Sequence, residues 1–328
     1  MNILVTGARG FIGSAFVRTL VKSEDYTITA FIRDTNSWAK SRLDDNADCK
    51  SASESGQLRL VKGDLNGDIS GICEKIDVVV NFAARTFVDH SIRDPGPFIT
   101  ANVLGTANIL EEARRQKVKA FIQVSTDEGY GQILEGHHHE QSPISPRNPY
   151  AASKAGADAL AISYAHTFGM WTCVTRTENN YGPYQHPQKA MPVFIGKALK
   201  DEPIPVYGDG LHVRQWLHVQ DHVDAIQSLI RHGLKGSIAP GEVFHVAGNQ
   251  ETTNKQLAES ILNILGKPLD LITFIDDYNI RPGHDRRYAL TCDKIANTTG
   301  WKPKVDLQSG MAEVVNWYKN NPQWLAAV

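Results

Sequence analysis

A glycine triplet with the spacing GxxGxxG separates the first apolar run of the chain from the first amphipathic one. Its members are Gly7, Gly10 and Gly13, and it follows the run Asn2–Thr6 directly. Such a turn lets the backbone approach a pyrophosphate, and the N-terminus of the following helix faces the negative charge. The triplet therefore predicts a dinucleotide-binding fold, although its spacing is not the GxGxxG of the usual fingerprint.

The first half of the chain alternates short apolar runs with longer amphipathic segments, which is typical of a parallel sheet covered by helices on both faces. The predicted strands are Asn2–Thr6, Thr27–Ile32, Leu58–Val61, Val78–Phe82, Ala120–Ser125 and Thr172–Thr175. The predicted helices are Phe11–Lys22, Phe98–Gln116 and Tyr150–Phe168. This order predicts an α/β fold with a doubly wound parallel sheet, the Rossmann arrangement.

After about residue 180 the chain becomes rich in Pro and Gly, which predicts a smaller C-terminal α/β lobe that binds the substrate. We place a cofactor-binding domain at residues 1–180 and the substrate-binding lobe at 181–328. Whether residues 211–235 return to the first domain stays open. The polar segment 34–56 is predicted to be a long surface loop or a loose helix.

Composition excludes several classes of function. Lys and Arg number 34 against 36 Asp and Glu, so no basic excess is present to hold nucleic acid or an anionic membrane. The 4 cysteines are scattered and form no CxxC pair, and no apolar run is long enough to span a bilayer. We expect a cytoplasmic protein. We also expect no metal site, because three consecutive histidines, His137 to His139, cannot readily face one ion.

Carboxylates at two strand ends bear on the choice of dinucleotide. Asp34 follows the second strand, where it can bind the adenosine ribose and repel a 2'-phosphate, which favours NAD. Arg33 leaves NADP open, because a guanidinium there can pair with that phosphate. Asp64, after the third strand, can reach the adenine, although a loop carboxylate or helix cap explains it nearly as well.

A second group of polar residues is expected over the cofactor, because open parallel sheets bind ligands at the carboxyl ends of their strands. Thr126 ends the fifth strand, and Tyr150 and Lys154 lie four residues apart on one face of the following helix. An ammonium beside a phenol lowers the pKa of the phenol toward the range of a base. The three residues together predict proton transfer at a substrate hydroxyl.

The glycine triplet combined with Tyr150-x-x-x-Lys154 resembles the extended short-chain dehydrogenase/reductase family, in its NAD-dependent epimerase/dehydratase group. Residues 125–131, 179–184, 207–210 and 281–288 resemble the dTDP-glucose 4,6-dehydratases of that group. The resemblance implies a homodimeric lyase of deoxysugar biosynthesis. Its members use NAD to convert a nucleotide-diphosphate hexose into a 4-keto-6-deoxy sugar and water.

The resemblance also implies a division of roles. Tyr150, assisted by Thr126 and Lys154, takes the proton of the sugar 4-hydroxyl. Glu128 is then the base at C5 and Asp127 the acid at C6. Outside this context, two adjacent acids at a strand end would be a solvated loop or a helix cap.

Further residues take their roles from the same resemblance. The implied cofactor-binding residues are Gly7, Gly10, Phe11, Ile12, Gly13, Asp34, Asp64, Leu65, Ala83, Asn102, Tyr150 and Lys154. The implied substrate-binding residues are Thr86, Asn179, Lys189, Tyr207, Arg214, Asn249 and Arg281. Each basic residue taken alone fits a solvated surface charge at least as well, and Asn102 could equally lie on a helix surface.

Several departures leave the substrate open. Arg85, Thr86 and Phe87 stand where the family has Glu-Ser-His, Thr177-Glu178 replaces Cys-Ser, and Gln250 replaces Asn. We expect dTDP-glucose, with a UDP-sugar as the leading substitute. A nucleotide-sugar 4-epimerase or decarboxylase is an alternative, but it would not need Asp127 and Glu128. A non-catalytic NAD-binding regulator would be expected to lose Tyr150 or Lys154.

Overall fold

The structure, a computed structural model, describes residues 1–33, 42–276, 282 and 284–325. Its strands are β1 (Asn2–Thr6), β2 (Thr27–Ile32), β3 (Leu58–Lys62), β4 (Val78–Asn81), β5 (Ala120–Thr126), β6 (Thr172–Thr177), β7 (Asn179–Tyr181), β8 (Ile204–Tyr207), β9 (Val213–His218), β10 (Glu242–Val246), β11 (Glu251–Thr253) and β12 (Ile272–Ile275). Its longer helices are α1 (Phe11–Leu20), α2 (Ala47–Glu54), α3 (Val88–Arg93), α4 (Gly105–Arg115), α5 (Pro149–Phe168), α6 (Ala190–Leu199), α7 (Val219–Leu234), α8 (Asn254–Leu265), α9 (Asp293–Thr299) and α10 (Leu307–Asn320). A helical turn at Gly96–Phe98 and a π-helical segment at Ile99–Leu104 lead directly into α4, and short 3₁₀ helices lie at Asp127–Tyr130, Leu269–Leu271 and Pro322–Trp324.

Seven strands form one sheet in the order β10-β6-β5-β4-β1-β2-β3. Every neighbouring pair in it is parallel. The chain first builds outward from β1 to β3 and then from β4 to β10, so the strand order reverses beside β1, where a crevice for ligands opens. The predicted doubly wound parallel sheet is confirmed. The six predicted strands correspond to β1–β6, whereas β10 was not predicted.

The sheet is buried on both faces because alternate strand residues point to opposite sides. Ile3 and Val5 pack with α1 and α7, in a cluster that includes Phe16 and Ile226. Leu4, between them in β1, joins the other cluster, which contains residues of α4 and α5. Because both faces of the sheet are buried, its strands must be apolar at nearly every position. This pattern made the strands recognisable in the sequence.

A second core lies in the C-terminal half, around α6, α8 and α10. A three-stranded sheet, β11-β9-β7, and a two-stranded sheet, β12-β8, belong to this part of the molecule. Within residues 211–235, β9 pairs in the small sheet, while the apolar face of α7 joins the core of the large one. The division into domains at residue 180 stays a prediction.

Two predicted segments differ from the structure in detail. The polar segment 34–56 contains the regular helix α2, which begins after Asn46, whose side chain accepts a hydrogen bond from the Cys49 N–H. Residues 34–41 lie outside the described part. The predicted helix Phe98–Gln116 is helical, but its first half adopts π geometry.

Candidate active site

A cavity of about 670 Å³ lies at the carboxyl ends of the strands of the large sheet. Its wall combines the glycine turn, the loop after β4, the ends of β5 and β6, the start of α5 and α6, and residues from β9 and from the segment before α9. Lining residues from these elements include Gly7, Gly10, Phe11, Ile12, Gly13, Ala84, Thr86, Thr126, Glu128, Tyr150, Lys154, Glu178, Asn179, Lys189, Arg214, Asp285 and Tyr288. The cavity therefore brings together residues from distant parts of the chain.

The glycine turn has no room for side chains. Gly7 has a φ of +63°, and a Cβ there would lie 2.8 Å from the backbone nitrogen of Ala83. A Cβ on Gly13 would lie 2.5 Å from the carbonyl oxygen of Gly7. Among the described residues no side chain caps the N-terminus of α1 after Gly10, so the first N–H groups of the helix can bind an anion. This cradle fits the pyrophosphate of a dinucleotide.

Three predicted cofactor-binding residues, which follow β3 and β4, make contacts within the protein. The Asp64 carboxylate accepts a hydrogen bond of 3.0 Å from the Asn66 N–H, which holds the pKa of Asp64 below its usual range. Arg33 lies 3.7 Å from the same carboxylate. Leu65 is buried in the core under the sheet, and the Ala83 N–H donates to the Thr6 hydroxyl. Asp64, Leu65 and Ala83 do not line the cavity, and Asp34 lies outside the described residues.

Tyr150 and Lys154 lie on the cavity wall and are almost fully buried, with exposed fractions of 8% and 4%. The Lys154 ammonium donates a hydrogen bond of 2.7 Å to the carbonyl of Val124, and burial lowers the pKa of Lys154 to about 8. Burial, followed by the Glu128 carboxylate, raises the pKa of Tyr150, while the Thr126 hydroxyl lowers it. In this structure burial outweighs the groups that lower the pKa of Tyr150, and the Lys154 ammonium is bonded to the backbone, so the lowering by Lys154 stays a prediction.

The start of α5 is fixed by Asn148. Its side-chain oxygen accepts a hydrogen bond of 2.8 Å from the Ala151 N–H, and Pro149 occupies the first helical position. Its side-chain nitrogen donates to Oε2 of Glu128 at 3.2 Å. Asn148 thus sets both the helix that carries Tyr150 and the orientation of an acidic side chain in the cavity.

The two adjacent acids occupy different environments. Asp127 is 3% exposed and its Oδ1 accepts a hydrogen bond of 3.1 Å from the Thr126 hydroxyl. Burial, and then the charge of Glu128, raises the pKa of Asp127 to about 7. Burial also raises the pKa of Glu128, but the Asn148 amide counteracts it. Glu128 lines the cavity, and the buried Asp127, which is not among the lining residues, stands between the lining residues Thr126 and Glu128 in the chain.

Basic residues also line the cavity. The Lys189 ammonium donates to the carbonyl of Thr86 at 3.1 Å and lies 4.5 Å from the centre of the Phe87 ring. Arg214 donates to the carbonyl of Asp285 at 2.9 Å, with its guanidinium 4.4 Å from the centre of the Tyr288 ring. Both cations, with Thr86 and Asn179, line the cavity. Such a pair suits the oxygens of a diphosphate.

Two predicted substrate contacts do not line the cavity. Tyr207 does not line it, and its ring meets that of His284 edge-on at 6.0 Å. Asn249 is exposed and also does not line it. Arg281 lies outside the described residues.

Asn102 is buried rather than on a helix surface, with 1% of its area exposed. Its side chain exchanges hydrogen bonds with both backbone groups of Arg85 and donates to the Ser153 hydroxyl at 2.8 Å. Asn102 therefore ties the loop after β4 to α5, between Tyr150 and Lys154, without lining the cavity.

Several lining residues were given no role from the sequence, among them Asn148, His186, His284 and Asp285. Asn148-Pro149 is a recognisable helix start, so a search for capping residues could have found Asn148. His284 and Asp285 lie within residues 281–288, which resemble the family, whereas the position of His186 follows from tertiary contacts.

The histidine run is dispersed. His138 stacks on Tyr130, His137 lies 3.5 Å from Glu251, and His139 faces Gln141. The described residues contain no group of three or more His, Cys, Asp or Glu side chains that could hold a metal ion. No helix in the same part of the chain is both long and apolar enough to cross a membrane.

Comparison with known proteins gives matches along nearly the whole chain. Residues 4–314 match the model of the family described as GDP-mannose 4,6 dehydratase. A dTDP-glucose 4,6-dehydratase of Actinoplanes sp. is 42% identical over 99% of both chains.

Solved structures are also similar. DesIV, a dTDP-glucose 4,6-dehydratase from Streptomyces venezuelae solved with NAD and dTDP, has a TM-score of 0.89 at 38% identity, covering 99% of this chain and 98% of that one. A UDP-glucuronic acid 4-epimerase from Bacillus cereus, solved with its sugar nucleotide and NAD, has a TM-score of 0.89 at 26% identity, covering 98% and 100%.

Proposed function

The chain belongs to the GDP-mannose 4,6 dehydratase family, and from this premise we propose that it is an NAD-dependent hydro-lyase that converts dTDP-glucose into the 4-keto-6-deoxy sugar and water. The observation that carries the proposal is the pair Asp127 and Glu128, two acids in different environments beside Thr126, Tyr150 and Lys154. The identity of 42% with a dTDP-glucose 4,6-dehydratase supports the choice of nucleotide and sugar.

Tyr150 begins the reaction by accepting the proton of the sugar 4-hydroxyl. The Thr126 hydroxyl binds the same oxygen, and the nearby Lys154 ammonium favours the phenolate. The glycine turn would hold NAD, which would supply the hydride acceptor for C4 and the hydride donor for C6. Burial raises the pKa of Tyr150 in this structure, so the phenolate needs positive charge close by.

The 4-ketone then acidifies the neighbouring C5–H. Glu128 lies on the cavity wall with Oε2 held by Asn148, so it is placed to remove that proton. Asp127, whose pKa is raised to about 7, retains a proton near neutral pH and gives it to the departing C6 hydroxyl. Opposite protonation states of neighbouring carboxyls are what an elimination requires.

The diphosphate is bound by the two cations on the cavity wall. Lys189 donates a hydrogen bond to the Thr86 carbonyl, and Arg214 donates one to the Asp285 carbonyl. Both side chains are therefore already fixed, and binding the ligand costs little of their conformational entropy. Asn179 and Thr86 add neutral donors on the same wall. Asp34, Asp64 and Arg281 remain predicted contacts of the cofactor or the substrate.

A 4-epimerase is the second candidate, because a UDP-glucuronic acid 4-epimerase shares the fold. It would use Thr126, Tyr150 and Lys154 alone, which leaves two buried acids without a task. Burying them costs free energy, so a chain that only epimerises would not be expected to keep them.

We also propose a homodimer in the cytoplasm. Ile99 and Leu104 on the π-helical segment and Phe168 at the end of α5 are about half exposed, at 48%, 51% and 51%. An isologous contact through these helices would cover them. All four cysteines are free, as expected in a reducing compartment. A monomeric mass in light scattering at micromolar concentration would contradict the dimer.

The function is tested by incubating the purified protein with dTDP-glucose and, separately, with UDP-glucose, and identifying the products by NMR. We expect the 4-keto-6-deoxy sugar from dTDP-glucose. A dehydrated product from UDP-glucose alone would show that the substrate is a UDP-sugar. A 4-epimer with its C6 hydroxyl intact would show that the protein is an epimerase and not a dehydratase.

A further inference from the structure

The loop after β4 brings an aromatic ring to the cavity. Phe87 follows Thr86 in this loop, and both residues line the cavity. The Lys189 ammonium lies over the face of the Phe87 ring, 4.5 Å from its centre, and donates a hydrogen bond of 3.1 Å to the Thr86 carbonyl. A cation at this distance is attracted by the negative face of the π system. Two successive residues of one loop therefore hold the same ammonium.

This contact joins two parts of the molecule. Thr86 and Phe87 follow a strand of the large sheet, whereas Lys189 directly precedes α6, which packs in the second core. The loop after β4 is itself fixed, because the Asn102 side chain exchanges hydrogen bonds with both backbone groups of Arg85. A fixed loop thus determines where a cation from the other part of the chain lies.

Two imidazoles also contact the Phe87 ring. The His186 ring stands nearly perpendicular to it with the two centres 4.9 Å apart, and the His90 ring lies 5.2 Å away. Burial, followed by the charges of Arg42 and Lys189, lowers the pKa of His186 to about 4. His186 is therefore neutral near pH 7 and adds no positive charge that would repel the Lys189 ammonium.

Phe87 is one of the positions at which the chain departs from the related dehydratases, which have His there. A protonated imidazole would repel the Lys189 ammonium. A phenyl ring cannot take up a proton, and its face attracts a cation at every pH. The departure therefore strengthens the hold on Lys189 rather than weakening it.

We propose that Phe87 is a positioning residue that holds the Lys189 ammonium where the diphosphate of the sugar nucleotide binds. This inference rests on the proposed function, in which Lys189 binds the diphosphate. An ammonium has three N–H donors, so its bond to the Thr86 carbonyl is compatible with further bonds to phosphate oxygens. The ring attracts the ammonium through its charge and orients the side chain without competing as a strong hydrogen-bond acceptor.

The variant Phe87→Leu tests the proposal, because leucine keeps an apolar side chain and removes the π face. The dissociation constant of dTDP, which carries the diphosphate without the sugar, should rise about 3- to 10-fold in titration calorimetry. The KM of dTDP-glucose should rise similarly with kcat unchanged, because Lys189 binds the diphosphate equally in the ground state and the transition state. Phe87→Tyr keeps the π face and should bind dTDP like the wild type.

A double-mutant cycle with Lys189→Met separates positioning from direct contact. If Phe87 acts through Lys189, Phe87→Leu should weaken dTDP binding in the wild-type chain and leave it unchanged in Lys189→Met. A ring that contacts the nucleotide itself, or that only supports the loop, would cost the same affinity in both backgrounds.

The matched control is Phe168→Leu. The Phe168 ring also has a cation over its face, the Arg114 guanidinium at 4.8 Å, but it does not line the cavity. We expect this variant to keep the wild-type dissociation constant of dTDP, because the cation it releases is not a diphosphate contact.

An unchanged dissociation constant of dTDP in Phe87→Leu would overturn the proposal. So would equal losses of affinity in the two backgrounds, a loss in Phe87→Tyr as large as in Phe87→Leu, or an unchanged affinity in Lys189→Met. The proposed reaction is judged by a different measurement, the product that the wild-type protein forms from dTDP-glucose. A protein that binds dTDP but forms no dehydrated product would contradict the function alone, so the two failures are distinguishable.

Discussion

The side chain of Asn148 connects the N-terminus of α5 with the carboxylate of Glu128. Its oxygen accepts from the Ala151 N–H at 2.8 Å and its nitrogen donates to Glu128 Oε2 at 3.2 Å. Asn148 therefore caps the helix that positions Tyr150 and also orients the carboxylate of Glu128. The capping task and the orienting task are separable, because a hydroxyl can cap a helix but cannot reach as far as an amide.

Asn148→Ser should keep the helix cap and lose the hydrogen bond to Glu128. Since that bond lowers the pKa of Glu128, its loss should shift the acid limb of the kcat profile to higher pH. Unfolding in urea should show a small change in stability, whereas Asn148→Ala should cost about 1 kcal/mol through the lost cap. An unshifted acid limb in Asn148→Ser would mean that the Asn148 amide does not act on the base.

Glu128→Gln should separate oxidation from elimination. The variant should still reduce bound NAD, seen as NADH absorbance, while eliminating water slower by on the order of 10² to 10⁴. Asp127→Asn should behave similarly, and Tyr150→Phe should block oxidation and show no NADH absorbance. In deuterated water the wild-type product should carry deuterium at C5. Dehydration by Glu128→Gln at the wild-type rate would remove Glu128 from its role as base.

Gly13→Ala should weaken cofactor retention. The new Cβ would lie 2.5 Å from the carbonyl oxygen of Gly7, so α1 must move away from the turn that cradles the pyrophosphate. We expect less dinucleotide per chain after purification, measured by denaturation and chromatography. Gly196→Ala is the control, since its Cβ would meet only a Leu325 side chain at 3.5 Å. Equal dinucleotide content in both variants would contradict this reading of the turn.

The dinucleotide released by denaturing the wild-type protein should be NAD. The expectation rests on Asp34, a carboxylate placed by sequence where a 2'-phosphate would lie. Arg33 lies 3.7 Å from Asp64 and is thereby drawn toward a carboxylate of the chain itself. Mostly NADP in the released material would show that Arg33 outweighs Asp34.

The large sheet was largely predictable because its strands are buried on both faces. Asn2–Thr6 and Thr27–Ile32 match the structure at both ends, since each is an apolar run between turns. Strand β10 was missed because Glu242 and His245 interrupt its apolar pattern. His245 can be fully buried because both of its ring nitrogens have partners distant in sequence, the Tyr130 hydroxyl at 2.7 Å and the Thr291 carbonyl at 3.0 Å.

Part of the cavity lining was predicted from the sequence, but its electrostatics were not. The pattern Tyr150-x-x-x-Lys154 fixes the two side chains on one helix face, as the structure has them. It does not show that the ammonium is bonded to the Val124 carbonyl, which depends on how closely α5 packs on β5. The burial of Asp127 is likewise a tertiary property, and it raises the pKa of that acid.

Asp127 provides the last prediction, in which stability depends on pH. Its pKa is raised from 3.8 to about 7 in the folded chain, so between these values the folded state holds a proton that the unfolded state has lost. The stability that the neutral acid contributes is complete below about pH 4 and is lost as pH rises through about 7. Asp127→Asn stays neutral, so its advantage over wild type should grow with pH by about 1.4 kcal/mol per unit in that window and level off above it. Urea unfolding at several pH values measures this, with Asp45→Asn, the same change at an exposed carboxyl, as the control. A constant difference between Asp127→Asn and wild type across the window would show that Asp127 ionises normally in the fold, and it could then not hold the proton that the elimination requires.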